Sequence, residues 1–305
     1  MASFKIVTYD AGKGARAGIV VNDTVYDAAE GTGNPKDASV RAMLNDWDAA
    51  KKRLKALADA PKGSGHKLAG VTLRPPMPDP IGIFCAGANY SDHVLEMARA
   101  HGIEPEPDPH TLGLKSWHFL KTAGTLAGAN EVVHLPRRSK KIDWEVELVA
   151  VIGKKATNVP LDRAYDYIAG YTIGNDLSAR DHGPREGIKP TSPFKHDWVA
   201  HKNFDQSCPL GPWIVMPEDI GDPQKLKIQL YVNNELMQDS NTSQMIFNIS
   251  EQISHLSEKL TLHPGDLVLT GTPAGVGTPR NKFLNPGDTV RCHIEGIGDL
   301  ENKLD

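Results

Sequence analysis

Asp143-Trp144-Glu145-Val146-Glu147-Leu148-Val149-Ala150-Val151-Ile152-Gly153 is an apolar run that carries carboxylates inside it. Its Val, Ile and Leu content reads as a strand. A side-chain period of two sends Glu145, Glu147, Val149 and Val151 to one face and Trp144, Val146, Leu148 and Ala150 to the other. Both faces are therefore expected to be buried. Two ionised carboxylates about 7 Å apart along a strand repel each other, and burying either without a partner costs several kcal/mol. Positive charge is needed between them, and a divalent metal is the simplest source. A half-exposed edge strand with two solvated glutamates is the competing reading of these residues alone.

The surrounding sequence is β-rich. Short runs of strand character at 81–86, 168–174, 213–216, 226–232, 266–269 and 289–294 are separated by turn residues. Helical periodicity is confined to 91–101, ended by Gly102, and to 247–260, where Ile249, Ile253, Leu256 and Leu260 form a stripe. This pattern predicts a mainly antiparallel, mainly β (α+β) fold in place of a doubly wound parallel sheet. Upstream, strands at 4–9, 17–21 and 25–27 precede one helix that Ser39 can cap and that runs on through Leu57. The Pro- and Gly-rich stretches 60–66 and 74–80 mark a linker, dividing the chain into a small N-terminal α+β domain at 1–75 and a catalytic domain at 76–305.

Composition narrows the partners. A net charge of −4 over 305 residues provides no basic field, so nucleic acid is not an expected partner. Residues 1–20 lack a signal-type apolar core and no 18-residue apolar stretch occurs elsewhere, which predicts a cytoplasmic protein with no membrane partner. Cys85, Cys208 and Cys292 are odd in number and widely spaced, arguing for buried thiols over a disulfide framework or a thiolate zinc site.

The chemistry-bearing residues gather in the second domain. In Gly87-Ala88-Asn89-Tyr90-Ser91-Asp92-His93-Val94-Leu95-Glu96, His93 and Glu96 stand at i and i+3 on a helix, where a carboxylate can orient an imidazole base; solvated surface charge is the bland alternative. Asp176 ends an apolar strand and can serve as a third oxygen ligand or as a helix cap. The Gly-rich loop after Leu267-Val268-Leu269-Thr270 fits neither a P-loop nor a dinucleotide fingerprint. It can bring backbone amides and the Thr272 hydroxyl to a ligand oxygen, or be a plain tight turn.

Taken in order, residues 87–96, Asp-Trp-Glu-Val-Glu at 143–147, Gly-Asn-Asp-Leu-Ser-Ala-Arg-Asp at 174–181, Lys202 with Cys-Pro-Leu-Gly-Pro-Trp at 208–213, and Leu-Thr-Gly-Thr-Pro-Ala-Gly-Val-Gly at 269–277 resemble the fumarylacetoacetate hydrolase family over about residues 80–300. The resemblance implies a mixed β-sandwich roll, usually a homodimer, with one Mg²⁺ or Mn²⁺ per site. It implies metal ligation by Glu145, Glu147 and Asp176, water activation by His93 with Glu96, and a substrate-facing Lys202. Substrate contact falls to Arg180, Thr272, Asn89, Tyr90 and Lys121. The chain departs from many relatives after Asp181, where His182-Gly183 stands in place of a glutamine two residues on, and the long interval before Lys202 is a variable segment able to roof the pocket.

Three carboxylates make a hard oxygen site suited to Mg²⁺ or Mn²⁺, and a 2-oxo acid substrate would chelate such an ion. Cleavage next to the keto group would leave an enolate stabilised by Lewis acidity. The favoured expectation is hydrolysis of a C–C bond in a 2,4-dioxo acid of acylpyruvate or fumarylpyruvate type, as in aromatic catabolism. Isomerisation or decarboxylation of a 2-oxo or 2-hydroxydienoic diacid is the alternative on the same metal. A non-catalytic metal-dependent binding protein is the alternative of another class.

Overall fold

The computed structural model describes residues 3–305. At its centre, the Val146–Ile152 strand is buried at every residue. It pairs antiparallel with Ile168–Asn175 on one edge and with Leu267–Leu269 on the other. Trp144, Val146, Leu148, Ala150 and Ile152 join one buried cluster, while Val149 and Val151 join a second. That division is what a period of two requires of a strand enclosed on both faces.

The central strand belongs to a 12-stranded sheet. From one edge the order runs Gly65–Lys67, Thr24–Asp27, Ala15–Val21, Lys5–Asp10, Cys208–Val215, Ile168–Asn175, Val146–Ile152, Leu267–Leu269, Ile83–Ala86 and His118–Lys121. Two short strands attach off this path: Thr72–Arg74 on Lys5–Asp10 and Leu126–Ala127 on Cys208–Val215. Pairing is antiparallel except where Leu267–Leu269 meets Ile83–Ala86 and where Leu126–Ala127 meets Cys208–Val215. A second sheet of four antiparallel strands, Glu235–Asn241, Lys227–Val232, Thr289–Ile294 and Gly298–Lys303, packs through Ile228, Leu230, Val290 and Ile294 into the cluster that holds Leu148. Helix Ile249–Lys259 adds Ile249, Ile253 and Leu256 there. It starts with a capping box in which Asn248 and Glu251 satisfy each other's backbone N–H groups. The mainly β, α+β architecture is thus present, built on one mixed sheet and one antiparallel sheet.

The first 75 residues are stitched into this frame. Lys5 and Ile6 pair with Val215 and Ile214, so the large sheet continues across the predicted boundary. The predicted single helix after Ser39 is two, Val40–Leu44 and Trp47–Asp59. Asn45 and Asp46 interrupt it, since short polar side chains compete for backbone hydrogen bonds, and Ser39 precedes the first helix without a side-chain cap bond. The strand predicted at 213–216 begins at Cys208, because Pro209 and Pro212, which cannot donate to a ladder, mask its start. Among the described residues, no helix is long and apolar enough to cross a membrane.

Candidate metal centre and active site

Register assembles the acidic site. Asn175 lies opposite Val146, so the end of one strand delivers Asp176 beside the entry of the next, and the Asp176 N–H donates to the Glu145 carbonyl at 2.9 Å. Glu145, Glu147 and Asp176 are all buried and can present oxygens within 4.8 Å of one another. Lys202 Nζ donates to Glu145 Oε2 at 2.8 Å and to Asp176 Oδ2 at 2.6 Å. Lys121 Nζ donates to Asp176 Oδ1 at 2.7 Å and to the carbonyl of Lys202. Arg180 spans Glu145 Oε1 at 2.6 Å and Asp143 Oδ2 at 2.9 Å.

The carboxylates differ in what compensates them. Burial pushes Glu145 up, but Lys202 and Arg180 outweigh it and hold its pKa at about 2. Burial also pushes Glu147 up, and the neighbouring Asp176 and Glu145 add to it, so this carboxyl lies well above the usual range. Its one close donor among the described residues is the Gly271 N–H at 2.6 Å. Asp143, Glu145, Glu147 and Asp176 thus face Lys121, Arg180 and Lys202, four acids against three bases, with Glu147 the acid left short. Glu145, Glu147 and Asp176 could hold a divalent cation, which would supply the missing charge. The all-oxygen donor set fits Mg²⁺ or Mn²⁺.

The Gly-rich loop is a cradle for protein carboxylates. Gly271 serves Glu147, Gly275 N donates to Glu96 Oε2 at 2.7 Å, and Gly277 N donates to Asp143 Oδ1 at 2.6 Å. Thr278 adds its hydroxyl to Asp143 Oδ2 at 2.7 Å. Such close approach needs glycine: a Cβ on Gly275, at φ +103°, would meet the Met237 carbonyl at 2.2 Å. Trp144 Nε1 ties the loop to the central strand through the Gly275 carbonyl. The amides predicted to face a ligand are therefore committed to the protein's own acids.

Beside the carboxylates lies a cavity of about 130 Å³ lined by His93, Glu145, Arg180, His201, Lys202 and Thr272, and walled by Trp117, Phe119 and Trp198. It adjoins a groove of about 660 Å³ through the shared Gly87, Ala88 and Trp117. A larger groove of about 840 Å³, lined by Lys67, Trp213, Arg291 and Glu301, is remote from the carboxylates and holds none of these groups. His93 comes from helix Ser91–His101. Its Nδ1 is buried without a hydrogen-bond partner. Desolvation lowers its pKa against the pull of Glu145, which favours the neutral imidazole.

Several expected assignments take a different form. No hydrogen bond joins His93 and Glu96, because the Glu96 carboxylate is taken by Gly275, with Arg280 at 3.8 Å. Lys202 and Arg180 do line the cavity, yet their charges are directed at the carboxylates. Thr272 lines it too, with its hydroxyl donating to the Val146 carbonyl and accepting from Gln238. Asn89, Tyr90 and Lys121, like Glu147 and Asp176, are not among the residues that line the cavity. The Asn89 amide is spent on the backbone of Phe247 and Thr270, Tyr90 is fully buried, and Lys121 is an internal counter-ion of Asp176. Sequence reasoning missed Asp143, although it begins the decisive stretch, and the aromatic wall with His201, whose signal was the Trp and His preceding Lys202 in the variable segment. That segment does reach the pocket, as helix Trp198–Lys202.

Comparison with known proteins identifies relatives of the chain. A family model described as fumarylacetoacetate (FAA) hydrolase C-terminal matches residues 82–305. A mitochondrial oxaloacetate tautomerase of Xenopus laevis is 36% identical over 276 residues, 89% of this chain and 81% of its own. The crystal structure of maleylpyruvate hydrolase from Sphingobium sp. SYK-6 in complex with manganese(II) ion and pyruvate is 27% identical, with a TM-score of 0.75 and 98% of each chain covered. That of 2-hydroxyhepta-2,4-diene-1,7-dioate isomerase from Mycobacterium marinum is 30% identical, with a TM-score of 0.73 over 99% of this chain and 98% of that one. The chain belongs to the fumarylacetoacetate hydrolase family.

Proposed function

We propose that this protein is a divalent-metal-dependent enzyme that moves a proton at C3 of a small 2-oxo diacid, a keto–enol tautomerase of oxaloacetate-like substrates. The observation that carries this reading is His93: a half-buried imidazole kept neutral by desolvation, with a buried, unbonded Nδ1, in a small cavity beside the carboxylates and without a carboxylate hydrogen-bonded to it. A proton transfer needs one such base, whereas activating water for attack on a carbonyl gains from the orienting carboxylate that Glu96 does not provide here. The cavity of about 130 Å³ suits a four-carbon diacid. The tautomerase relative supports the same choice.

Glu145, Glu147 and Asp176 would hold Mg²⁺ or Mn²⁺, which supplies Lewis acidity for charge developing on the 2-oxo oxygen. His93 accepts the C3 proton. Lys202 and Arg180 keep Glu145 ionised, Lys202 and Lys121 hold Asp176 in place by hydrogen bonds, and the aromatic wall excludes bulk water.

Hydrolysis of a 2,4-dioxo acid is the second reading, favoured by the groove of about 660 Å³ that continues past Gly87, Ala88 and Trp117 and has room for an acyl arm. Supplying enol-oxaloacetate and acetylpyruvate separately, with Mg²⁺, Mn²⁺ or EDTA, tests both. Metal-dependent acceleration of ketonisation without acetylpyruvate cleavage is expected. Release of pyruvate and acetate from acetylpyruvate, with ketonisation left at the buffer rate, would replace the first reading by the second.

A further inference from the structure

His201 lies in the last turn of the five-residue helix Trp198–Lys202 and has no part in the chemistry assigned above. It is 6% exposed and lines the same cavity as His93, Glu145 and Lys202. Its Nε2 is buried and has no hydrogen-bond partner. Its Nδ1 stands 3.1 Å from Nε2 of His196, and the ring stacks on Trp198 with centroids 5.7 Å apart. His196 is only half-buried, so the pair runs from the cavity towards solvent. The packing is specific: a Cβ on Gly183 would meet His196 Cε1 at 2.6 Å and His201 Cγ at 3.0 Å. Gly183 thus clears the space in which the two rings meet.

We propose that His201 is a second acid–base group of this site and that His196 connects it to solvent as a two-imidazole proton relay. This rests on the enolisation reading above. As His93 takes the C3 proton, the C–H electron pair forms the C2–C3 double bond and the carbonyl pair moves to the 2-oxo oxygen. That oxygen takes the Nε2 proton of His201. His201 Nδ1 takes the Nε2 proton of His196, whose Nδ1 takes one from water, and His93 returns its proton to water. One proton enters and one leaves, and ketonisation runs the same path backwards. Burial first, with Lys202, Arg180 and His196 adding to it, holds the His201 pKa at about 2. The ring therefore stays neutral, gaining a proton on Nδ1 as it gives up the one on Nε2.

The test combines a readout free of turnover with one that requires it. In ¹⁵N-histidine-labelled protein, addition of Mg²⁺ and oxalate is expected to shift the His201 Nε2 resonance, and His196→Gln to abolish the Nδ1–Nε2 hydrogen-bond signature. With Mg²⁺ and pyruvate in D₂O, the wild type is expected to exchange C3 hydrogen for deuterium. His201→Gln should slow that exchange by about 10²-fold, within the usual worth of a positioned acid or base. His196→Gln and Gly183→Ala should lower kcat by roughly 10-fold with KM unchanged. Added imidazole should partly restore His201→Ala, a recovery that a purely structural histidine would not allow. An unmoved His201 resonance, or wild-type exchange in His201→Gln, overturns the relay. Absence of exchange in the wild type with the resonance shift retained overturns the enolisation reading and His201's acid role with it, leaving His201 as a ligand contact.

Discussion

Glu145 and Glu147 are two residues apart on the same face, yet substitution should affect them in opposite directions. Glu145 anchors Lys202 and Arg180, so Glu145→Gln leaves buried cations short of a partner and is expected to destabilise the metal-free fold by about 3 kcal/mol. Glu147 makes no ion pair among the described residues, and a glutamine keeps an acceptor for the Gly271 N–H. Glu147→Gln should therefore stabilise the metal-free protein by about 1 kcal/mol while abolishing metal binding. Denaturant midpoints without metal and Mg²⁺ calorimetry check both variants. The pH dependence has a defined sign. A carboxyl whose folded pKa is raised contributes stability that is complete below its unfolded value, near 4.5, and is lost as pH rises towards the folded one. The metal-free wild type should weaken over that rise, and Glu147→Gln should lack this component. At Asp176, Asn retains an acceptor for Lys121 but removes one of three charged ligands. Asp176→Asn also takes a charged partner from buried Lys121 and Lys202, so it is expected to lose Mg²⁺ affinity and to cost about 3 kcal/mol of metal-free stability, as Glu145→Gln does, and unchanged affinity would remove Asp176 from the ligand set.

Helix and strand elements were legible where one physical signal dominated. Val146–Ile152 and Thr289–Ile294 announce themselves through β-branched content, and Ser91–His101 through its period and the left-handed Gly102 that ends it. Strands with polar or edge positions, such as Glu235–Asn241 and Gly298–Lys303, escaped because their partners, not their composition, define them. The site divides in the same way. The three carboxylates were readable because charge in an apolar strand demands an explanation. The release of Glu96 from His93, the committed loop amides and the His196–His201 pair were not, because each depends on a contact between residues distant in sequence or on the turn of one loop. The short helix Pro217–Ile220 makes such a distant contact, with Glu218 meeting Lys51 at 2.9 Å and Lys55 at 2.8 Å on helix Trp47–Asp59. Burial raises the Glu218 carboxyl, but the bonds from Lys55 and Lys51 prevail and bring it to about 2. Its contribution is complete above the unfolded value near 4.5 and is lost as pH falls towards 2. Since Glu218 is partly exposed, about 1 kcal/mol is expected after screening. Glu218→Gln should lower stability at neutral pH by that amount and leave it unchanged near pH 2, measured by urea unfolding across pH.

Across the whole molecule, the acidic site is supported from both faces of one sheet. Val149 and Val151, on the strand that carries Glu147, pack into a cluster whose other side is Phe4, Ile6, Ile19, Met43, Leu44, Trp47 and Leu54. The N-terminal residues thus form the second layer of the core under the three carboxylates, although the family match begins only at residue 82. Lys5–Asp10 also covers the edge of Cys208–Val215, whose backbone groups would otherwise face solvent. Removing residues 1–75 would expose Val149, Val151, Ile214 and Leu267 together, a loss of roughly 1.5–3 kcal/mol for each large apolar side chain returned to water. Against a typical total of about 5–15 kcal/mol, that loss is decisive. The fragment 76–305 is therefore expected to lack cooperative thermal unfolding and to bind no Mg²⁺ in calorimetry, and adding 1–75 as a separate peptide should restore both in part. A fragment that melts cooperatively and binds Mg²⁺ with the affinity of the full chain would show that the site needs only the 76–305 frame, and that the sheet shared through Lys5 and Val215 joins two separable units.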